Sequence, residues 1–198
     1  DQRYYRNVRF SLNYDPEKTD LEQALITLTR DCISAVDSGA TIIVLSDRDI
    51  SRTHLPIPAP LAVGAVHQGL LRASERPNAN IIIETGSARD PPQFAVLRGL
   101  GATAIYPYLA FQSINQQQLT GALDGDPIQL RKNYRRGIRK GLLKILSKMG
   151  ICTMASYRGS QLFEAVGLAP EVVKLCCPKV SSKIAGAGFD ALENDVRK

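Results

Sequence analysis

Residues 41–45, TIIVL, decide the fold, because they form a continuous run of apolar and mostly β-branched side chains. Residues 80–84, NIIIE, repeat the pattern, and residues 102–106, ATAIY, continue it. Such runs are typical of strands that are buried on both faces of a parallel sheet. A short fourth strand is predicted at residues 151–153, and alternating polar and apolar residues predict an edge strand at residues 8–12.

Segments in which apolar residues recur with helical spacing separate these strands. They cover residues 21–36, 61–74, 91–100, 128–149 and 160–166. A capping box is predicted at Thr19 and Glu22, and Gly39 suits the end of the first helix. Strands that alternate with helices predict an α/β fold with a mostly parallel sheet, either a small open sheet or part of a (β/α) barrel.

Composition limits the classes of function. The chain has 198 residues, of which 44% are hydrophobic. That is enough for a core, yet no apolar run reaches the roughly 18 residues of a membrane span. We expect no metal site, because the cysteines and histidines lack the usual ligand spacing: Cys32, Cys152, Cys176, Cys177, His54 and His67. Since no secretory signal is evident, we expect reduced thiols and a cytoplasmic protein.

The segment 128–149 is strongly basic. It contains eight Lys and Arg residues and no acidic residue, in a chain whose net charge is +6. A helix that binds nucleic acid has this pattern, and so does a surface helix whose charge is met by another subunit or domain. Gly137 and Gly141 favour the second interpretation, because glycine inside a helix usually marks close packing against a neighbour. We therefore expect nucleic acid not to be the partner.

Ligands of parallel α/β folds collect at the loops that follow the strands. Here these loops are residues 46–49, 85–90, 107–108 and 155–160, and three of them combine Arg with Ser or Asp. One interpretation is an anion site in which Arg is a bidentate donor. The other is a set of salt bridges and helix caps, with Asp47, Ser87 and Ser160 as the caps.

One carboxylate stands out by its position. Glu84 ends a predicted strand and is a candidate general base, although it is equally well explained as a carboxylate paired with Arg89. The chain has no glycine-rich phosphate fingerprint and no G-x-S-x-G nucleophile elbow. No catalytic residue is therefore assigned.

Several motifs are specific in combination. They are IETGSARD at residues 83–90, GATAIYPYLA at 101–110, NYR at 133–135, IVLSDR at 43–48, PIP at 56–58 and AVGAVH at 62–67. Together they resemble the large (alpha) subunit of glutamate synthase, and their residues are similar to those of its bacterial, NADPH-dependent form. The resemblance extends over roughly residues 30–192.

The resemblance implies a segment of a much larger enzyme, which forms two L-glutamate from L-glutamine, 2-oxoglutarate and NADPH. That enzyme has an amidotransferase domain, an ammonia tunnel, an FMN-binding barrel and a small, NADPH-oxidising iron–sulfur subunit. Residues 1–126 resemble the latter part of its central domain, and residues 127–198 resemble the lead-in to the barrel. The family's FMN-binding and cluster motifs are missing here, so we expect this segment to hold no cofactor and to serve as scaffold, tunnel wall or domain interface.

The resemblance also yields expectations for single residues. Residues 141–168 are expected to form a helix–strand–turn–helix unit that joins the two domains, with Ser156, Tyr157 and Arg158 nearest to the flavin domain. The chain departs from the family pattern at Gln68 and at Pro92-Gln93, where paired histidines are expected. The alternative function is a free-standing, non-catalytic α/β binding module of the same family, and a third is an anion- or RNA-binding protein.

Overall fold

Strands and helices alternate along residues 5–197, the part of the chain that the computed structural model describes. The strands are β1 (Asn7–Ser11), β2 (Asn13–Tyr14), β3 (Ile42–Ser46), β4 (Leu55–Pro56), β5 (Asn80–Glu84), β6 (Ala104–Tyr106), β7 (Glu164–Leu168) and β8 (Ser181–Ala187). The α-helices are α1 (Leu21–Asp37), α2 (Ala59–Arg72), α3 (Pro91–Leu100), α4 (Tyr108–Leu119), α5 (Pro127–Lys148), α6 (Met154–Tyr157), α7 (Pro170–Cys176) and α8 (Phe189–Arg197).

Four strands form the central sheet, which is parallel throughout and has the order β1-β3-β5-β6. Val8 pairs with Ile43, and Ile43 pairs with Ile81. The sheet is open, with β1 and β6 at its edges. The predicted α/β fold with a mostly parallel sheet is confirmed, and so is the edge strand near the start of the chain.

Helices cover one face of this sheet. Ile43, Leu45, Ile81 and Ile83 project to that face and are fully buried. They share one hydrophobic core with side chains of α1, α2 and α3, and α7 and α8 add to the same core. Helix α1 packs along α2, and α2 contacts both α3 and α7. The strands and their crossover helices therefore hold one another in place through a single core.

The other face of the sheet is open. Ile42, Val44 and Ile82 alternate with the buried isoleucines, stay partly exposed and lie outside the core. Ala104 and Tyr106 on β6 are exposed on the same side. The prediction that the strands are buried on both faces is therefore wrong. The reason is the topology: right-handed crossovers that all proceed in one direction along the sheet place α1, α2 and α3 on the same face.

Helix α1 begins one residue later than the predicted capping box. The Asp20 carboxylate, and not the Thr19 hydroxyl, accepts a hydrogen bond from the Gln23 amide at 2.7 Å. Glu193 on α8 accepts from the Leu21 amide at 2.8 Å, so a second carboxylate satisfies this helix terminus. At the other end, Gly39 follows the helix with a φ of 93°, as expected for a glycine in the left-handed region.

Helix α5 is the predicted basic helix, and it packs on α3. A Cβ atom added to Gly141 would lie 2.4 Å from Pro91 Cγ, whereas nothing lies within 4 Å of a Cβ at Gly137. Close packing against a neighbouring element is thus confirmed for Gly141 and wrong for Gly137. Residue 141 needs glycine because the first turn of α3 approaches the backbone of α5.

The segment after α5 differs most from its prediction. Residues 151–153 form no strand, because Thr153 instead caps the short helix α6 by accepting from the Ser156 amide at 3.3 Å. The predicted helix at residues 160–166 is also wrong. Strand β7 occupies residues 164–168 and pairs in parallel with β8, and α7 forms the connection between them. The helix–strand–turn–helix unit expected at residues 141–168 is therefore not formed.

None of the helices within residues 5–197 has both the length and the apolar composition that a membrane span needs.

Candidate functional site

Polar side chains collect at the carboxyl ends of β3, β5 and β6, where the fold class predicts a site. Ser46 and Asp47 end β3 and begin its loop, Glu84 and Thr85 do the same at β5, and Tyr108 opens the helix after β6. All five are almost fully buried in spite of their position at the rim. Buried polar groups require partners, and the partners define what the cluster can do.

Glu84 is held by three donors. The Ser46 hydroxyl donates to its Oε2 at 2.7 Å, Arg9 pairs with the same oxygen at 2.8 Å, and Arg48 pairs with Oε1 at 3.4 Å. The predicted pairing with Arg89 is wrong, because that side chain lies on the exposed loop before α3. Both oxygens of Glu84 have guanidinium partners, which favours a structural link between three strands over a general base.

Asp47 forms the second half of the cluster. Its carboxylate accepts from the Thr85 hydroxyl at 2.5 Å and from the Gly86 amide at 3.1 Å. Burial, together with the negative charge and hydrogen bonding of Asp47, raises the pKa of the neighbouring Tyr108 to about 12. Tyr108 therefore keeps its proton and stays a hydrogen-bond donor over the ordinary pH range.

The proposed helix caps are wrong at all three positions. Asp47 binds the loop after β5 and no helix terminus. Ser87 bonds with Thr85, while α3 is capped by Asp90 and Gln93. Ser160 has a buried hydroxyl without a partner among the described residues, and no helix begins there.

Arg48 joins the cluster to the aromatic residues after β6. Its guanidinium carbon lies 5.1 Å from the centre of the Tyr108 ring and 6.0 Å from that of Tyr106, a distance at which cation–π attraction operates. Of the arginines in the predicted anion loops, only Arg48 reaches this place. Its charge and that of Arg9 are matched by Glu84 and Asp47, so the cluster is close to neutral. The geometry therefore favours the salt-bridge interpretation over an anion site.

An apolar pocket of about 480 Å³ adjoins Asp47. Its walls come from the segment that enters α2, from the first two turns of α3 and from Val196 on α8. Pro92 and Gln93, where the resemblance leads us to expect histidines, line it. Gln93 is committed to the backbone, since its Oε1 accepts from the Arg89 and Asp90 amides at 2.6 and 2.9 Å. The pocket thus offers shape and one buried carboxylate, without a second group positioned for proton transfer.

A second buried polar cluster lies at the amino ends of the strands. Arg76 donates from Nε to His67 Nδ1 at 2.8 Å, and from its other nitrogens to the carbonyls of Gly101, at 2.8 Å, and of Ala79. Burial, together with the charges of Arg76, Arg158 and Lys179, lowers the pKa of His67 to about 4. His67 is therefore neutral, with its proton on Nε2. This imidazole works as an acceptor that fixes Arg76.

The segment that contains Ser156, Tyr157 and Arg158 docks beside this second cluster. Tyr157 is buried against Ala95 and Leu146, while Ser156 and Arg158 are exposed. The amides of residues 159 and 161 donate to the carbonyls of residues 98 and 99 at the end of α3, both at 3.2 Å. The interpretation of this loop as one that follows a strand is wrong, because residues 151–153 form no strand. Its proximity to a flavin domain stays a prediction.

Sequence reasoning missed the contribution of Arg9. It lies between two apolar residues of the edge strand, Val8 and Phe10, so its side chain projects to the opposite face of the sheet. There it donates to Ser46 Oγ at 2.8 Å and pairs with Glu84. A cation at an alternating position of a strand was the available signal.

Metal binding receives no support from the side chains of residues 5–197. The described residues include no group of three or more His, Cys, Asp or Glu side chains arranged to hold an ion. All four cysteines are unpaired. Cys32, Cys176 and Cys177 are buried, and burial raises the pKa of each thiol, whereas Cys152 is exposed.

Comparison with known proteins gives a consistent family. The family model described as the glutamate synthase central domain matches residues 1–169. The chain is 38% identical over 176 residues to the glutamate synthase [NADH] of Saccharomyces cerevisiae, which covers 85% of this chain and 8% of the yeast protein.

Two further relatives are named for other electron donors. The glutamate synthase [NADPH] large chain of Bacillus subtilis is 37% identical over 179 residues, covering 90% of this chain and 12% of that protein. The ferredoxin-dependent glutamate synthase 2 of Synechocystis is 43% identical over 180 residues, covering 84% of this chain and 12% of that protein. The chain thus spans between 8% and 12% of the length of these relatives.

Proposed function

The chain belongs to the glutamate synthase central domain family, and from this premise we propose that it is a structural segment of a glutamate synthase large subunit. The whole enzyme would form two L-glutamate from L-glutamine, 2-oxoglutarate and NADPH, in glutamate biosynthesis and ammonia assimilation. Within it this segment supplies scaffold, a wall of the ammonia tunnel and contacts between domains. The chemistry belongs to other parts of the polypeptide.

The observation that carries this proposal is the open face of the parallel sheet. Parallel sheets are covered on both faces in folded proteins, yet Ile42, Val44 and Ile82 remain partly exposed on one face. A layer from the rest of the large subunit would complete the fold. The central domain of a long polypeptide is bordered by other domains, and one of them would supply this layer.

The polar cluster supports a structural role in the same way. Glu84 and Asp47 are already satisfied by arginines, hydroxyls and an amide. Neither carboxylate is left with the free oxygen that a general base presents to a substrate. The cluster fixes the ends of the strands and so determines the surface on which a neighbouring domain would rest.

The electron donor and cofactors are proposed from the motifs. The motifs IETGSARD at residues 83–90 and GATAIYPYLA at 101–110 favour NADPH as the electron donor, with the electrons passing through a small iron–sulfur subunit. FMN and the iron–sulfur cluster would be held by domains outside this chain. The four unpaired thiols support a cytoplasmic location.

We propose a division of the chain at residues 126 and 127. Residues 1–126 would form the latter part of the central domain, and residues 127–198 the connection to the FMN-binding barrel. The loop between α4 and α5, which contains neither helix nor strand, supports the division. The segment of Ser156, Tyr157 and Arg158 would then lie next to the flavin domain, with the exposed Ser156 and Arg158 facing it and Tyr157 buried behind them.

Two preparations test the proposal: the complete polypeptide that contains this chain, and residues 1–198 alone. The complete polypeptide is expected to carry flavin absorbance and, with its small subunit, to oxidise NADPH when glutamine and 2-oxoglutarate are present. Residues 1–198 are expected to be colourless and inactive. A coding sequence that ends at Lys198 would favour the free-standing binding module, and flavin bound by residues 1–198 would contradict the assignment of FMN to another domain.

Substitutions on the open face test the role of that face. Ile82→Lys in the complete polypeptide is expected to reduce NADPH oxidation by about tenfold or more, because it places a charge in a buried interface. Leu119→Lys is the matched control, since Leu119 is 77% exposed at the end of α4. Equal activities of the two variants would show that the open face is not covered.

A further inference from the structure

The edge strand β6 borders a groove that no segment of residues 5–197 fills. The groove has a volume of about 830 Å³ and lies between β6, the start of α4 and the inner side of α5. Phe94, Ile105, Ile138 and Leu142 contribute to its apolar floor. In a sheet whose strands follow one another in chain order, this is the place of the next strand, and α5 already lies over it.

An aromatic row forms one wall of the groove. The Tyr106 and Phe111 rings lie 5.7 Å apart, and the Phe111 and Tyr134 rings meet edge to face at 5.8 Å. Tyr134 also donates its hydroxyl hydrogen to the Arg89 carbonyl at 2.9 Å, which fixes α5 relative to α3. These contacts join the three rings to one another and tie α5 to the segment before α3.

The α5 side of the groove also carries basic residues, whose charges are unmatched within residues 5–197. Lys132, Arg135, Arg136 and Arg139 line the groove, and no described residue forms an ion pair with any of them. Helix α5 carries eight of the 25 Lys and Arg residues and none of the 19 acidic residues. Without this helix the chain would be net negative, so the positive charge of the protein is concentrated beside the groove.

The backbone of β6 is available on the side of the groove. Within residues 5–197, β6 pairs only with β5 and has no strand on its other side. Unpaired edges bind extended segments by strand addition, in which main-chain hydrogen bonds supply affinity and alternate side chains supply specificity. Side chains of an added strand would point alternately to the two sides of the sheet.

From this geometry we propose that the groove binds an acidic, extended segment of the same large-subunit polypeptide, drawn from outside residues 1–198, which adds a strand to β6. This inference rests on the proposed function. About nine-tenths of the polypeptide lies outside the chain, since the chain spans 8–12% of its relatives. The carboxylates of the segment pair with Arg135, Arg136 and Arg139, and its apolar side chains rest on the groove floor.

The charge pattern on α5 supplies a matched pair of variants. Arg135→Glu/Arg136→Glu/Arg139→Glu reverses three charges that line the groove. Lys140→Glu/Lys144→Glu/Lys148→Glu reverses three charges on the same helix that do not line it. Both variants change the net charge equally and retain good helix formers, so a difference between them reports on the groove.

Hydrogen exchange of the complete polypeptide reads out the added strand. Peptides that contain Ala104–Tyr106 are expected to exchange about tenfold faster in the groove variant than in the wild type, because unpaired edge amides lose protection. The variant with lysines replaced is expected to match the wild type. Equal exchange of β6 in all three proteins would overturn the proposal.

Zero-length carbodiimide cross-linking identifies the occupant. Lys132 is the lysine of the groove, and it is expected to join an Asp or Glu of the same polypeptide outside residues 1–198, in a cross-link that the groove variant weakens. A cross-link to the small subunit, to a second copy or only to carboxylates within residues 1–198 would overturn the proposal. So would salt-sensitive retention of nucleic acid that is lost in the groove variant.

Activity separates this inference from the proposed function. NADPH oxidation and flavin content are measured on the same three preparations. A wild-type preparation with both properties, combined with unchanged exchange at β6, would contradict the strand addition alone. A wild-type preparation with neither would contradict the proposed function as well.

Discussion

The two faces of the central sheet are built from alternate residues of the same strands, and one face is buried while the other is partly exposed. Ile81 and Ile83 lie in the hydrophobic core, whereas Ile82 between them is partly exposed on the open face. A run of isoleucines therefore specifies a strand without specifying what covers it. Residues 5–197 therefore contain apolar side chains for two interfaces but helices that cover only one of them.

Substitution of neighbouring isoleucines tests the comparison with the largest expected effect. Ile81→Ala is expected to lower the free energy of unfolding of residues 1–198 by about 2–5 kcal/mol, because it leaves a cavity in the core. Ile82→Ala is expected to cost about 1 kcal/mol or less, because its side chain is already partly hydrated. Urea denaturation measures both values. Equal losses would mean that the open face is covered in solution.

Acidification extends the comparison to the two histidines. His67 is buried beneath the covered face with a pKa lowered to about 4, so the unfolded chain binds more protons than the folded one between about pH 6.5 and pH 4. Stability is expected to fall across that window as the pH decreases, by up to about 3 kcal/mol at its lower end. Urea denaturation as a function of pH measures the slope.

His54 provides the control for this pH dependence, because it lies in an exposed loop. His67→Gln is expected to flatten the slope, since the Gln carbonyl can accept from Arg76 without titrating. His54→Gln is expected to leave the slope unchanged. A slope that survives in His67→Gln would assign the pH dependence to other groups.

Two glycines of α5 give a smaller and oppositely signed pair of effects. Gly141→Ala is expected to destabilise residues 1–198 by about 1–3 kcal/mol, because the new methyl group would overlap the Pro91 ring. Gly137→Ala is expected to stabilise by about 1 kcal/mol, since the position is open and alanine favours the helix. Thermal unfolding measures both. Stabilisation by Gly141→Ala would show that α5 does not pack on α3 as described.

The cysteines provide the smallest perturbation. Cys152 is exposed, while Cys32, Cys176 and Cys177 are buried and their thiol pKa values are raised. A thiol reagent is expected to label one cysteine in the folded chain and four after unfolding. Mass spectrometry identifies the modified residue. Rapid labelling of Cys176 in the folded chain would show that α7 separates readily from α2.

Sequence patterns predicted the central sheet and its crossover helices because the signals there are local, but they missed α4 and the short strands β2 and β4. β-Branched runs and helical spacing located β3, β5, α2 and α3 within one or two residues. They failed after α5, where β7 exists only through its pairing with β8 and no local pattern indicates that pairing. At residues 151–153, a Thr that caps a short helix outweighed an apolar residue that suggested a strand.

The candidate site was also predicted only in part. Its location at the carboxyl ends of the strands was predictable from the fold class, and Glu84 and Asp47 were found there. Their partners were not, because Arg9 comes from a distant edge strand and Arg48 is oriented by two rings that only the tertiary structure brings together. Membership of the glutamate synthase family, which the motifs indicated, is confirmed by the match over residues 1–169.

The strand order β1-β3-β5-β6 has a consequence for biosynthesis. Each strand of this sheet pairs with the strand of the same sheet that precedes it in the chain, so the sheet can grow by one strand at a time as the polypeptide leaves the ribosome. Every addition closes a connection of 19 to 33 residues, from residues 12–41, 47–79 and 85–103, and none of them has to span an earlier strand of the sheet, so the entropic cost of closure stays similar at each step. The strand synthesised last therefore always forms the free edge of the sheet. Within residues 5–197 that strand is β6, and its free edge is available to a segment that is synthesised later.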